Sequence, residues 1–94
     1  MTLRFEWNRK KALLNIRKHG TTFEEASTVF GDSLSLTIPD SYHSIGEDRF
    51  ITIGTSAKGR IIVVMHTERH DVICIISARK ATRNEREQYE LGQK

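Results

Sequence analysis

The stretch "IISARKATRNEREQYE", residues 75–90, carries Arg79, Lys80 and Arg83 across the boundary between an apolar run and a Glu-rich segment. Thr82-Arg83-Asn84-Glu85 matches the capping-box pattern that opens a helix, which puts Arg79 at a strand end just before a helix N-terminus. The first N–H groups of a helix and the positive end of its dipole attract anions, and the neighbouring cations add to that field. Such a junction is a candidate phosphate cradle, able to hold RNA and to stabilise charge that develops on a scissile phosphate. The plainer reading is a solvated helix start, and it weighs more heavily on Lys80 and Arg83 than on Arg79.

Strand register brings further residues into this picture. If Ala57-Lys58-Gly59 and Arg69-His70 are hairpin turns, Ser56, Arg60 and Arg79 lie side by side across three strands. The same register puts Phe50, Val64 and Ile75 on that face, with His66 and Glu68 towards its far end. Two opposed guanidiniums cost roughly a few tenths of a kcal/mol when solvated, a cost more easily explained if an anion sits between them.

His19 is the residue best suited by type to general acid or base work, because imidazole exchanges protons near neutral pH. Lys18-His19-Gly20 also reads as a helix C-terminus, where cations suit the dipole. Glu68 is the strand carboxylate nearest the expected face, and Arg69 beside it serves either an ordinary surface pair or RNA. Tyr89 either packs the last helix down or hydrogen-bonds a phosphate. His66 reads as a core histidine, and His43 and His70 as loop residues. Phe5 and Trp7 read as core more readily than as a base-stacking platform. No His, Asp and Glu spacing resembles a metal site, so neither metal nor cofactor is expected. The single cysteine, Cys74, excludes an internal disulfide, and its apolar strand makes a buried, unreactive thiol the expectation.

The elements that must position these groups follow from periodicity. Phe5 and Trp7 alternate with charges in a short strand. Asn8 can cap a helix carrying Ala12, Leu13 and Ile16 up to Gly20. Thr22-Phe23-Glu24-Glu25 is another capping box, and opens a helix with Phe23, Ala26, Val29 and Phe30 on one face, stopped by Gly31-Asp32. From residue 34 the period becomes two, and "LSLTI", "RFITIGTS", "RIIVVMHTER" and "DVICIISAR" read as four strands of an antiparallel meander. The expected fold is α+β: a short N-terminal strand, two helices, a four-stranded antiparallel sheet and a C-terminal helix. "IIVVM" and "VICII" are apolar on both faces, so they are expected as central strands covered on each side, with a partner protein able to supply one cover.

The 94 residues fit one domain, which removes about 60 to 65% of the unfolded chain's surface from water. At 37% hydrophobic and 29% charged, with no apolar run near the roughly 20 residues of a membrane span, the chain reads as a water-borne protein. No secretory h-region follows the N-terminal charges, and a cytoplasmic location is the default expectation. The net charge of +3 is unevenly placed: residues 1–20 carry +5, residues 21–50 carry −5 and the remainder +3. Opposed surface regions follow, rather than a uniform nucleic-acid coat.

The motifs "FEWNRKKALLNIRKHGTTFEEASTVF", "EDRFITIGTSAKGRIIVVMHTER" and "IISARKATRNEREQYE" together resemble the BrnT family of type II toxins from residue 5 to about 90. The order of "KHG", "FEEA", "GR", "TER" and "ISAR-AT" carries the likeness. It implies a RelE-like ribonuclease that halts translation, a BrnA-type antitoxin with a DNA-binding domain, promoter contact through that antitoxin alone, and a complex with two copies of each subunit. Asn8 stands where the family usually has Asp, and Cys74 where many relatives have Arg. The metal-independent endoribonuclease expected here uses Arg60 and Arg79 as phosphate clamps, Lys18 and His19 as helpers and Glu68 as base. Arg69, Lys80, Arg83 and Tyr89 contact RNA. A non-enzymatic co-repressor subunit is the competing expectation, since an apolar sheet face also serves assembly.

Overall fold

The protein is described by a computed structural model that covers residues 3–42 and 46–92. His43 lies outside these residues. The chain runs β1 (Arg4–Trp7), α1 (Arg9–His19), α2 (Phe23–Thr28), a 3-10 turn (Val29–Gly31), β2 (Leu36–Pro39), β3 (Arg49–Thr55), β4 (Ile61–Arg69), β5 (Val72–Lys80) and α3 (Arg83–Leu91). Asn8 caps α1 by accepting from the Lys11 N–H at 3.0 Å. Gly20, at φ 65°, ends the helix with its N–H on Ile16 O, a conformation that costs glycine nothing.

The expected meander is present, but the sheet is five-stranded and mixed, in the order β1-β5-β4-β3-β2. β1 lies parallel to β5, Arg4 opposite Val72 and Trp7 opposite Ile75. The sequence expectation left β1 outside the sheet because parallel pairing joins segments far apart in the chain and leaves no local signature. With β1 on one side and β4 on the other, β5 is interior over this stretch. Phe23, Ala26 and Val29 pack on Ile62, Val64, Ile73, Ile75 and Ala78, and this buried cluster is the core. At about 1.5–3 kcal/mol for each large apolar side chain removed from water, it is the main stabilising term.

Two local features correct the expected register. The β4–β5 hairpin turns at His70-Asp71, both at positive φ, one residue later than Arg69-His70. A two-residue hairpin of type I′ needs left-handed residues at both central positions, and Asp tolerates that region well. That slip alone preserves which side chains share a face. The second feature does not: Met65 pairs with Ser77 and His66 with Ile75, so Ile76 is an extra residue in β5. One inserted residue in a period of two moves everything beyond it to the other face. Arg79 therefore sits opposite Val63, away from the helix-covered side that holds Phe50, Val64, His66 and Ile75. The β3–β4 turn closes as expected, with Ser56 N–H on Arg60 O and Gly59 at φ 77°.

Beyond the bulge β5 loses β1 as neighbour, and a side chain takes over. Asn15 of α1 is 6% exposed. Its amide donates to Ala78 O at 2.7 Å and to Thr21 O at 2.9 Å, and its carbonyl oxygen accepts from Ala78 N at 3.1 Å. The carboxamide thus replaces one residue of a missing strand and satisfies backbone groups that burial would otherwise leave unpaired.

His66 reads as the core histidine expected of it. Fully buried between Phe30 and Phe50, it bonds Thr52 Oγ1 through Nε2 at 2.7 Å, and Thr52 meets Thr37 at 2.7 Å. Burial pushes its pKa down from 6.5 to about 4.

Replacing Asn15→Ala is expected to cost about 3 kcal/mol, because Ala78 keeps a buried N–H and C=O without partners; the difference in urea unfolding free energy checks it. Since folding lowers the His66 pKa, the unfolded chain binds the extra proton, and stability is expected to fall as pH drops from 6.5 to about 4. Urea titrations across that window should show the slope, and His66→Gln should remove its upper part.

Candidate nucleic-acid interface

Helices α1 and α2 cover one face of the sheet, and α3 lies over only one end of the other. Tyr89 anchors that helix: 6% exposed, it donates its hydroxyl to the Asp32 carboxylate and meets Thr55 Oγ1 at 3.1 Å. Of the two roles expected for Tyr89, packing the last helix down is the one this geometry shows. The full capping box forms at Thr82, with Glu85 N–H on Thr82 Oγ1 at 3.2 Å and Thr82 N–H on Glu85 Oε1 at 2.8 Å.

The remainder of that face is open. A depression of about 410 Å3 runs over Met65, Ile76 and Ser77 between Arg79 and Arg49, with the 90% exposed Tyr42 at its rim. A neighbouring depression of about 300 Å3 shares Arg49 and Ile76 and extends to Thr67, Arg69, Glu47 and Lys11. Strand alternation explains the grouping, since Arg49 pairs with Thr67 and Arg79 with Val63, all on one side of the pleat. Three arginines from three strands thus share a surface whose floor is apolar or small.

Two of them, Arg79 and Arg69, have acidic partners. Arg79 makes a two-pronged contact with Glu85, Nη1–Oε1 at 2.6 Å and Nη2–Oε2 at 2.8 Å, with the side chains 31% and 32% exposed. This fork holds the Glu85 carboxyl well below its usual range, at about 2. Arg69 Nη2 reaches Glu47 Oε2 at 2.6 Å, and Arg69 first, then the charges of Arg49 and Lys11, hold Glu47 below its ordinary value.

The expected juxtaposition of Arg60 and Arg79 does not form. Arg60 reaches back to α2, where its Nε donates to Glu25 Oε2 at 2.9 Å and its Nη2 closes a second bond to Oε1. Ser56 Oγ donates to the same carboxylate at 2.7 Å. Glu25 is 5% exposed, and the Arg60 bond, ahead of the cost of burial, lowers its pKa. The capping box expected at Thr22 is consequently half-formed: Thr22 Oγ1 takes the Glu25 N–H at 3.0 Å while the Glu25 side chain turns to Arg60. Arg60 and Arg79 are on opposite sides of the sheet because of the extra residue at Ile76.

The other expected site residues scatter. Glu68 is on the helix-covered side, its Oε1 3.9 Å from His66 Nδ1. Lys18 and His19 close α1, and neither lines the open depressions. Lys80 is exposed opposite Ile62, on the Ala78 side, and Arg83 is 87% exposed beside Glu87 at 3.3 Å. Cys74 is partly exposed at the edge of the second depression, not buried as expected. Arg49 and Asn15 are not among the expected site or scaffold residues, and Glu25 and Glu85 are expected only as capping-box residues, not as partners of Arg60 and Arg79. Arg49 alone has a signal, as the first residue of a strand whose next two odd positions, Ile51 and Ile53, are apolar.

Among the described residues no three His, Cys, Asp or Glu side chains gather as a metal site. None of the helices described is long and apolar enough to cross a membrane.

No curated protein sequence matches the chain significantly. Among solved structures, the crystal structure of the Brucella abortus ribonuclease toxin BrnT is similar. It has 25% sequence identity and a TM-score of 0.67, and the match covers 87% of this chain and 100% of that one. The profile described as the ribonuclease toxin BrnT of type II toxin-antitoxin systems matches residues 7–85. That span takes in the caps, the bulged strand and Arg79 up to Glu85. The chain belongs to the BrnT family of type II toxin-antitoxin ribonuclease toxins.

Proposed function

We propose that this BrnT-family protein is a metal-independent endoribonuclease that halts translation, and that it works on the open face of the sheet. One observation carries the placement: the Arg79 fork opens on the same uncovered surface as Arg49 and Arg69. RNA supplies its own nucleophile. The 2′-oxygen attacks phosphorus and the bond to the 5′-oxygen breaks, with a proton leaving the 2′-hydroxyl and another arriving on the departing oxygen. Charge accumulates on the non-bridging phosphate oxygens. Guanidinium groups aimed there stabilise the transition state more than the ground state. Arg79 is the clamp on the scissile phosphate, and Arg49 and Arg69 hold the flanking backbone. In this reading charge stabilisation carries the catalysis, which the three arginines lining the two depressions support. Lys18, His19 and Glu68 have no part in this arrangement, and Arg60 serves the scaffold through Glu25.

The partner in this reading is a BrnA-type antitoxin that covers the open face. Ile38, 58% exposed, and Leu36, 41% exposed, extend the apolar floor to the sheet edge, a surface suited to a protein cover. Promoter DNA is reached through that antitoxin, in an assembly with two copies of each subunit.

Arg79→Ala is expected to lower RNA cleavage at least about 100-fold with the circular dichroism spectrum unchanged. Arg60→Ala should lower the urea midpoint while cleavage persists; the reverse pattern would return the clamp to Arg60. Cleavage of a single-stranded RNA is expected to be unaffected by EDTA, and loss that added Mg2+ restores would end the metal-independent mechanism.

A further inference from the structure

The guanidinium that the proposed mechanism needs is already occupied. Glu85 presents a carboxylate to Arg79 in the two-pronged geometry a phosphate would use, at 2.6 and 2.8 Å. Both side chains are about one-third exposed and both line the open depression. We propose that Glu85 is a built-in competitor for the substrate phosphate, and that RNA binds by exchanging one anion for the other on Arg79. This rests on the reading of Arg79 as the phosphate clamp.

The local structure keeps that exchange inexpensive. Released from Arg79, the Glu85 carboxylate still accepts the Thr82 N–H at 2.8 Å and remains beside the N-terminus of α3, where negative charge is favoured. The far end of the helix stays pinned through Tyr89, Asp32 and Thr55. Neither partner is stranded, because phosphate replaces carboxylate on the guanidinium and the cap retains the carboxylate. While RNA is absent, Glu85 holds the Arg79 fork aimed along the open face and denies it to small stray anions. The substrate class that wins is one offering further phosphates to Arg49 and Arg69, which a single-stranded polynucleotide does and a lone phosphate ion does not. Glu85 is thus a positioning and specificity residue rather than a catalytic one.

The test uses Glu85→Gln, which keeps an oxygen for the Thr82 N–H but lacks the charge. Binding to a single-stranded oligonucleotide with 2′-O-methyl riboses, which removes the nucleophile, isolates affinity from cleavage. Glu85→Gln is expected to bind about three- to tenfold tighter than the native protein, as suits loss of one partly exposed competing ion pair. Inorganic phosphate should inhibit that binding at lower concentration in the variant. In an Arg79→Ala background the same change should bring no more than the small gain from removing a nearby negative charge. Unchanged or weaker binding by Glu85→Gln, binding by neither protein, or an equal gain with and without Arg79 would each overturn the proposal. Failure of the native protein to cut an unmodified RNA would instead count against the ribonuclease reading, and the two results are read in separate assays.

Discussion

The extra residue at Ile76 decides what the other side chains can do. It lies where β1 ends and the β4–β5 ladder slips by one, and from there to Lys80 every side chain of β5 points opposite to an unbroken strand. The register error is stabilised from both sides. Asn15 bonds both backbone groups of Ala78 just past the bulge, and Ala78 packs into the buried cluster under α2. A strand locked in this way cannot slip back without burying Arg79 and exposing Ala78, so burial itself enforces the face on which the guanidinium appears.

A second constraint follows from how little holds α3. Its side-chain bonds to the body run through Tyr89 at one end and Glu85 at the other, with polar, exposed positions between. The Tyr89 end is bound to Asp32, which also accepts the Thr55 N–H at 2.9 Å and so belongs to the β3 scaffold. The Glu85 end is bound to a partly solvated arginine. Of the two attachments, the one at the candidate site is the one a competing anion can reach.

Two arginine–carboxylate forks therefore serve different ends in one small protein. Arg60–Glu25 is closed over by Ser56 and the β3–β4 turn, with the Glu25 carboxylate almost wholly buried, so removing Arg60 leaves that carboxylate buried without its cation. Arg79–Glu85 is open to solvent, and each member has a second place to turn. The two guanidiniums are about equally exposed, and what separates scaffold from candidate site is the burial of the carboxylate.

Local signals were strong where the physics is local. The cap at Asn8, the box at Thr82, the glycine after α1, the turn at Ala57-Lys58-Gly59 and the alternation of β3 and β4 each depend on residues within a turn of one another, and all are present. The family-specific order of motifs is likewise a property of the chain. Nothing local marked the parallel pairing of β1, the bulge at Ile76 or the reach of Asn15 across 63 positions to Ala78. Nor could spacing reveal that the carboxylate of Glu25 would leave its cap for Arg60. Composition and periodicity determined the elements and the kinds of side chain available; tertiary structure decided which arginines share a surface, because a one-residue offset in a two-residue repeat is invisible until the strands pair.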